Sequence, residues 1–275
     1  MLSMKIATLA LSLTFITAIA KSQPFKLKSI GGNKPFALAI YAGTEGKGAF
    51  TQYEGQNGII QLKISKYTQN TRRTIYIWNE IIGGKVTGNY GLTEEKGSIT
   101  QAWYLRNKDG KRFPLESTSD DQDTLSGDDR YLLYGALISF SHSNNDQLSI
   151  KYADGQEKII QLPGFDNPNY QRESIIADYN FDGYDDIAFS IPDAGMGVYH
   201  TFSILLYNSG TKRFEELKDP DYAHSNCSDL CDVTIDAKHK LLLTSCRGGA
   251  AWWQDVYRFK GWNKLVWLRS SKLTN

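Results

Sequence analysis

Residues 178–186 read Asp-Tyr-Asn-Phe-Asp-Gly-Tyr-Asp-Asp, with side-chain oxygens at the first, third, fifth and ninth positions and glycine at the sixth. Carboxylates held at that spacing repel one another and disfavour the turn unless a positive charge sits among them. Ca²⁺ fits this chemistry: it takes about six to eight oxygen ligands in flexible geometry, whereas Mg²⁺ demands a stricter octahedron. The expected ligands are Asp178, Asn180, Asp182, the main-chain carbonyl of Tyr184, and Asp186, with Gly183 permitting the sharp bend. The loop departs from an EF-hand, because Phe189 stands where that motif has its bidentate glutamate and the flanks, 175–177 and 187–191, read as strands rather than helices. A structural clamp between two strands is therefore expected. The competing reading is a metal-free turn closed by Asx hydrogen bonds.

The elements around this turn have one character. Runs rich in Tyr, Ile, Thr, Phe and Trp recur at 58–65, 74–78, 132–141, 147–152, 158–162, 200–207 and 255–259, with almost no helical spacing. Turn chemistry separates them at 107–110, 153–156, 208–210 and 260–263. Roughly fifteen such runs are too many for one small sandwich, so a propeller, a large barrel or two β modules are expected. No fixed internal period is visible, which favours a divergent, propeller-like all-β domain over a regular repeat. The stretch 119–130, holding Asp120, Asp121, Asp123, Asp128 and Asp129, reads as a solvated acidic loop and a divide between halves.

A length of 275 residues with 41% hydrophobic content is enough to bury a full core. The formal net charge of +1 and the absence of long basic runs argue against nucleic acid or an anionic membrane surface as partner. Residues 1–20 combine Lys5, an apolar stretch over 6–19 and the small-residue pattern Ala18-Ile19-Ala20, the form of a cleaved export signal. The apolar stretch is shorter than the roughly 20 residues a bilayer requires, so no membrane span is expected. With no cysteine near the cut, a lipid anchor is not expected either. Residues 21–275 then form a single all-β domain, periplasmic or secreted, where disulfides persist.

All three cysteines lie late in the chain, at Cys227, Cys231 and Cys246. A hairpin turning between Lys238 and His239 places Cys231 opposite Cys246, within bridging reach. A local Cys227–Cys231 bridge competes, and zinc is the weakest reading because no histidine stands at ligand spacing. Either bridge leaves one thiol over. The histidines, His142, His200, His224 and His239, sit in no nucleophile-elbow or metalloprotease pattern, and no phosphate-cradling glycine loop leads from a strand into a helix. An enzyme is not expected.

The Asp-x-Asn-x-Asp-Gly-x-x-Asp turn between strands, the export signal and the following 191–207 stretch resemble the periplasmic, calcium-bound β-propeller inhibitors of peptidoglycan-cleaving glycosidases. That likeness runs from 173 to 207 and continues through 255–267. In that family the proteins act as immunity partners of lysozyme-like effectors, and the turn is also similar to the FG-GAP calcium turns of integrin propellers. The resemblance implies a partner, a lysozyme-like peptidoglycan hydrolase, and an inhibitor of one would plug its cleft. Such a cleft holds an acid and a carboxylate, so a plug should offer hydrogen-bond donors and an aromatic on a braced turn. Gly195, Gly197, Tyr199 and His200 meet that description; their alternative role is to open the next strand. The other function class is a calcium-stabilised carbohydrate- or cell-surface-binding module using Trp252, Trp253, Trp262 and Trp267, although alternation in these segments assigns most of those rings to the core.

Overall fold

The computed structural model describes residues 24–31, 34–118, 128–141, 146–164, 172–193 and 197–273. The export signal, Gly195, His142 and the acidic positions 120, 121 and 123 lie outside the described residues. The described chain is all β, as its alternating patterns require. Strands β1 (Phe25–Ser29), β2 (Ala37–Tyr41), β3 (Phe50–Tyr53), β4 (Ile59–Gln69), β5 (Arg73–Ile82), β6 (Lys85–Glu95), β7 (Ser98–Arg106) and β8 (Lys111–Ser117) form an antiparallel barrel. It is closed by pairing of β1 with β8, Leu27 facing Ser117 and Ser29 facing Leu115.

Period-two alternation fills this barrel from one side of each strand. Trp78, Tyr90, Tyr104 and Phe113 follow one another across β5 to β8 and point inward, with Trp78 and Tyr90 fully buried. The interior also takes one carboxylate. Glu80 is buried and accepts from Thr87 Oγ1 at 2.7 Å, Tyr104 Oη at 3.1 Å and Tyr90 Oη at 3.2 Å, while Tyr53 and Tyr90 share a hydroxyl bond of 2.7 Å. Hydroxyl donors thus solvate a charge that would otherwise oppose burial.

Three four-stranded antiparallel sheets follow. The second sheet holds β9 (Asp128–Leu133), β10 (Ala136–Ser141), β11 (Gln147–Lys151) and β12 (Glu157–Gln161). The third holds β13 (Glu173–Ala177), β14 (Asp186–Pro192), β15 (His200–Asn208) and β16 (Arg213–Glu216). The fourth holds β17 (Thr234–Asp236), β18 (Leu241–Gly248), β19 (Ala251–Phe259) and β20 (Leu265–Leu273). Each runs in chain order. One core joins the second and third sheets through Ile138, Leu148, Ile187, Phe189 and Leu205; another joins the third and fourth through Ile204, Leu206, Leu242 and Tyr257. β14 is buried along nearly its whole length because both its faces are covered.

The turns expected at 107–110, 153–156, 208–210 and 260–263 join β7 to β8, β11 to β12, β15 to β16 and β19 to β20. The run 132–141 is a correction: it is not one strand but a hairpin, β9 turning into β10 at Tyr134 and Gly135, both with positive φ (51° and 79°). A tyrosine where such turns favour asparagine concealed the signal. Asp128 and Asp129 are a second correction. Their backbone opens β9, so the expected loop ends before them, and Asp129 is buried and accepts from Tyr131 Oη at 3.0 Å.

Candidate functional site

The acidic turn lies between β13 and β14, as the flanking patterns require, and its backbone uses left-handed conformations at Phe181 (φ 63°) and Gly183 (φ 90°). Three of the expected residues, Asp178, Asn180 and Asp182, accept main-chain N–H groups of the turn through their side-chain oxygens. Asp178 accepts from Asp182 N at 3.1 Å and Gly183 N at 2.9 Å, and Asp182 accepts from Tyr184 N at 2.9 Å. Asp186, at the head of β14, is fully buried and accepts from Tyr179 N at 2.9 Å and Tyr207 N at 2.8 Å. Burial raises its carboxyl to about 7 against those two hydrogen bonds, and the charges of Asp182 and Asp178 push the same way. The three acids therefore feel one another. Among the described residues no group of three or more His, Cys, Asp or Glu is assembled as a metal site. Each carboxylate oxygen that accepts an N–H retains a further lone pair.

Residues from the strand connections of the barrel and two other sheets brace this turn, none of them expected from the sequence. From the barrel, Lys47 Nζ pairs with Asp185 at 2.7 Å, and Thr44 Oγ1 donates to Ser174 O at 3.1 Å. From the second sheet, the Tyr134 hydroxyl accepts from Asp185 N at 2.5 Å while its ring stacks on Tyr207, centroids 4.1 Å apart. From the fourth sheet, Trp262 O accepts from Asn180 Nδ2 at 3.1 Å, and Phe259 meets Phe181 edge-on. The one signal the sequence carried was Gly135, a turn glycine inside an apolar run.

The Tyr199–His200 segment begins β15, which pairs directly with β14, Pro192 opposite His200. Asp193 holds this segment: Oδ1 accepts from Val198 N at 2.7 Å and Tyr199 N at 3.3 Å, and Asp193 N donates to Tyr199 O at 2.9 Å. A strap through Asp232 holds the other side, with main-chain and side-chain bonds of 2.8 Å to His200. Gly197 has φ 62° and Tyr199 is half-buried against the cysteine cluster. His200 Nδ1 lies 3.7 Å from Asp232 Oδ1, and that carboxylate raises the imidazole above its ordinary range.

The disulfide joins Cys227 to Cys246, Cα atoms 5.7 Å apart, and not Cys231 to Cys246 as expected. The hairpin does turn where expected, with Thr234 opposite Leu243 and Asp236 opposite Leu241, a register that extrapolates to Cys231 facing Cys246. β17 stops short of that point. Asp232, at φ 39°, swings the chain out of the ladder, and Cys231 instead bridges Thr201 and accepts from Ser245 N at 2.8 Å. The loop carrying Cys227 is brought in by the fully buried Asp255, which accepts from Cys227 N at 2.8 Å and Asn226 N at 3.0 Å. Cys231 remains a buried thiol, and burial pushes it up to about 12.

The tryptophans late in the chain are half-buried, Trp253 against the cysteines and Trp262 and Trp267 against the core. Beside Trp267 and the edge of His224, Lys218–Asp221 and Asn263–Val266 border a cleft of about 580 Å³. No helix among the described residues is long and apolar enough to cross a membrane. A scan against models of known protein families finds no match for the chain, and neither does a search of curated proteins.

Proposed function

We propose that the chain is an exported, calcium-stabilised inhibitor of a lysozyme-like peptidoglycan glycosidase, acting without turnover of its own. The observation that carries this reading is the presentation of Tyr199 and His200, half-exposed, at the start of β15, tied to Asp193 and strapped by Asp232. A glycosidase cleft offers a carboxylic acid and a carboxylate. The Tyr199 hydroxyl offers a neutral donor and a protonated His200 a cationic one, and a segment already held by hydrogen bonds loses little entropy on docking. On this reading Asp178, Asn180, Asp182, Asp186 and the Tyr184 carbonyl would hold Ca²⁺. The ion would offset most of the charge of the three acids and stiffen β14, the strand beside the docking segment. The successive four-stranded meanders are the units that favour a divergent propeller. Residues 1–20 would be removed on export to the periplasm.

The test is lysis of peptidoglycan by a panel of lysozyme-like enzymes with the mature protein titrated in. Tyr199→Ala is expected to weaken inhibition by about 2 kcal/mol, the scale of a buried aromatic anchor. Full lysis across the panel at excess wild-type protein discards the inhibitor reading; inhibition that survives Tyr199→Ala discards the site. The cleft beside Trp267 favours a second reading, a surface-binding module. Pull-down on peptidoglycan against pull-down with a lysozyme-like enzyme separates the two.

A further inference from the structure

The near-zero net charge of the chain conceals two opposite halves. Residues 24–118, which contain the barrel, hold 14 Lys and Arg against 7 Asp and Glu; residues 119–275 hold 15 against 23. Seven excess positive charges on a domain of that size set up a field at its surface. Strand register determines where part of that charge stands. Across β4 to β8, Lys63, Asn79, Asn89, Leu105 and Arg112 occupy one outward row, and Lys66, Ile77, Gly91, Trp103 and Pro114 occupy the next. Neither row contains an acid.

The centre of this face is built rather than merely solvated. A Cβ on Gly91 would lie 2.2 Å from the Trp103 ring, so only glycine allows the indole to lie flat on the neighbouring strand. The Arg112 guanidinium covers that ring at 4.2 Å from its centroid, which fixes a long cation in one plane with its N–H groups free of any carboxylate partner among the described residues. Asn89 Nδ2 donates to Asn79 Oδ1 at 2.6 Å, leaving the second amide hydrogen-bonding groups of both side chains available. A shallow depression of about 440 Å³ borders Trp103, Arg112 and Pro114.

We propose that this outer barrel face binds an acidic polysaccharide, one whose sugar rings carry carboxylates. A stacked arginine with Lys63 and Lys66 supplies bidentate and point-charge partners for carboxylate groups, and paired asparagines match vicinal hydroxyls, which a nucleic-acid backbone or an acidic peptide does not offer. The face lies on a different sheet from the Tyr199 segment and stands independently of the inhibitor reading.

The probe is polygalacturonate, with dextran, duplex DNA and polyglutamate in parallel, measured by affinity electrophoresis and titration calorimetry on the full mature protein. Polygalacturonate is expected to retard the protein, with affinity falling as salt rises. Lys63→Gln/Lys66→Gln/Arg112→Gln should weaken it at least tenfold. Asn79→Ala/Asn89→Ala should weaken polygalacturonate several-fold while leaving polyglutamate unchanged. A Lys238→Gln/Lys240→Gln variant, altered only at the exposed β17–β18 turn, should bind as wild type, and the melting temperature of every variant reports that it is folded. Absence of retardation, an unchanged triple variant, or DNA and polyglutamate binding as tightly as the polyuronate would overturn the proposal.

Discussion

Tyr134 is the residue through which the second sheet should govern the acidic turn. It stands at φ 51°, a conformation that costs a non-glycine residue about 1 kcal/mol, and two contacts offset that cost. Its hydroxyl accepts the Asp185 N–H, and its ring stacks on Tyr207. Tyr134→Phe removes only the acceptor; the N–H it leaves is near solvent, so the loss is about 1 kcal/mol. Tyr134→Ala also removes the stack, worth about another 1 kcal/mol, and retains the backbone cost. Tyr134→Asn loses both contacts but relieves the backbone, so it should fall near the phenylalanine variant. Urea unfolding gives this order directly. Titration of Ca²⁺ against the melting temperature gives a second readout: if only the closed turn binds the ion, Tyr134→Phe weakens calcium by about fivefold, the equivalent of 1 kcal/mol. Wild-type stability in the phenylalanine variant together with a gain in the asparagine variant would refute the latch, because the strained tyrosine would then have no compensating contact.

Other outcomes follow from the same contacts. Calcium should raise the melting temperature of the wild type and leave Asp182→Ala unshifted; equal shifts in both would remove the site. Non-reduced peptide mapping should find Cys227–Cys246, and Cys227→Ala should cost about 3 kcal/mol for a loop spanning a separation of 19 residues, well above the cost of Cys231→Ser. Glu80→Leu should destabilise by about 3 kcal/mol, since the hydroxyls of Thr87, Tyr90 and Tyr104 lose their shared acceptor, and Glu80→Gln by about 1 kcal/mol; near-equal values would deny the network. The His200 imidazole is raised above its ordinary 6.5 by Asp232, so the folded state binds the proton more tightly than the unfolded chain. Its contribution is complete below that value and is lost as pH rises through the folded pKa. Denaturation midpoints of wild type and Asp232→Asn should therefore converge in mildly alkaline buffer and separate at pH 5; parallel curves would exclude the pair.

The all-β character was legible because strand alternation is a local property, and the hairpin turns at 107–110 and 153–156 carried their own glycines. The acidic turn was legible for the same reason, its carboxylate spacing and its bend all lying within nine residues. Closure of the first eight strands was not, since β1 and β8 meet across about ninety residues and no side chain in either names its partner. The cysteine pairing failed at a single backbone angle. Extending the β17–β18 register was sound as far as Thr234, and Asp232 then left the ladder for a contact with β15 that no local pattern encodes.

The order of residues along the chain by itself determined which segments extend, where oxygens gather about Gly183, and which side chains alternate inward, because each depends on neighbours within one strand or turn. Tertiary structure alone decided what meets those segments. It brought Lys47, Tyr134 and Trp262 from the strand connections of three different sheets onto one turn, and it used the buried carboxylate of Asp255 to deliver Cys227 to Cys246. It also laid Trp103 flat on Gly91 beneath Arg112. Such contacts are selected by packing between distant elements, where a hydrogen bond or ring contact becomes favourable only after both partners are buried together.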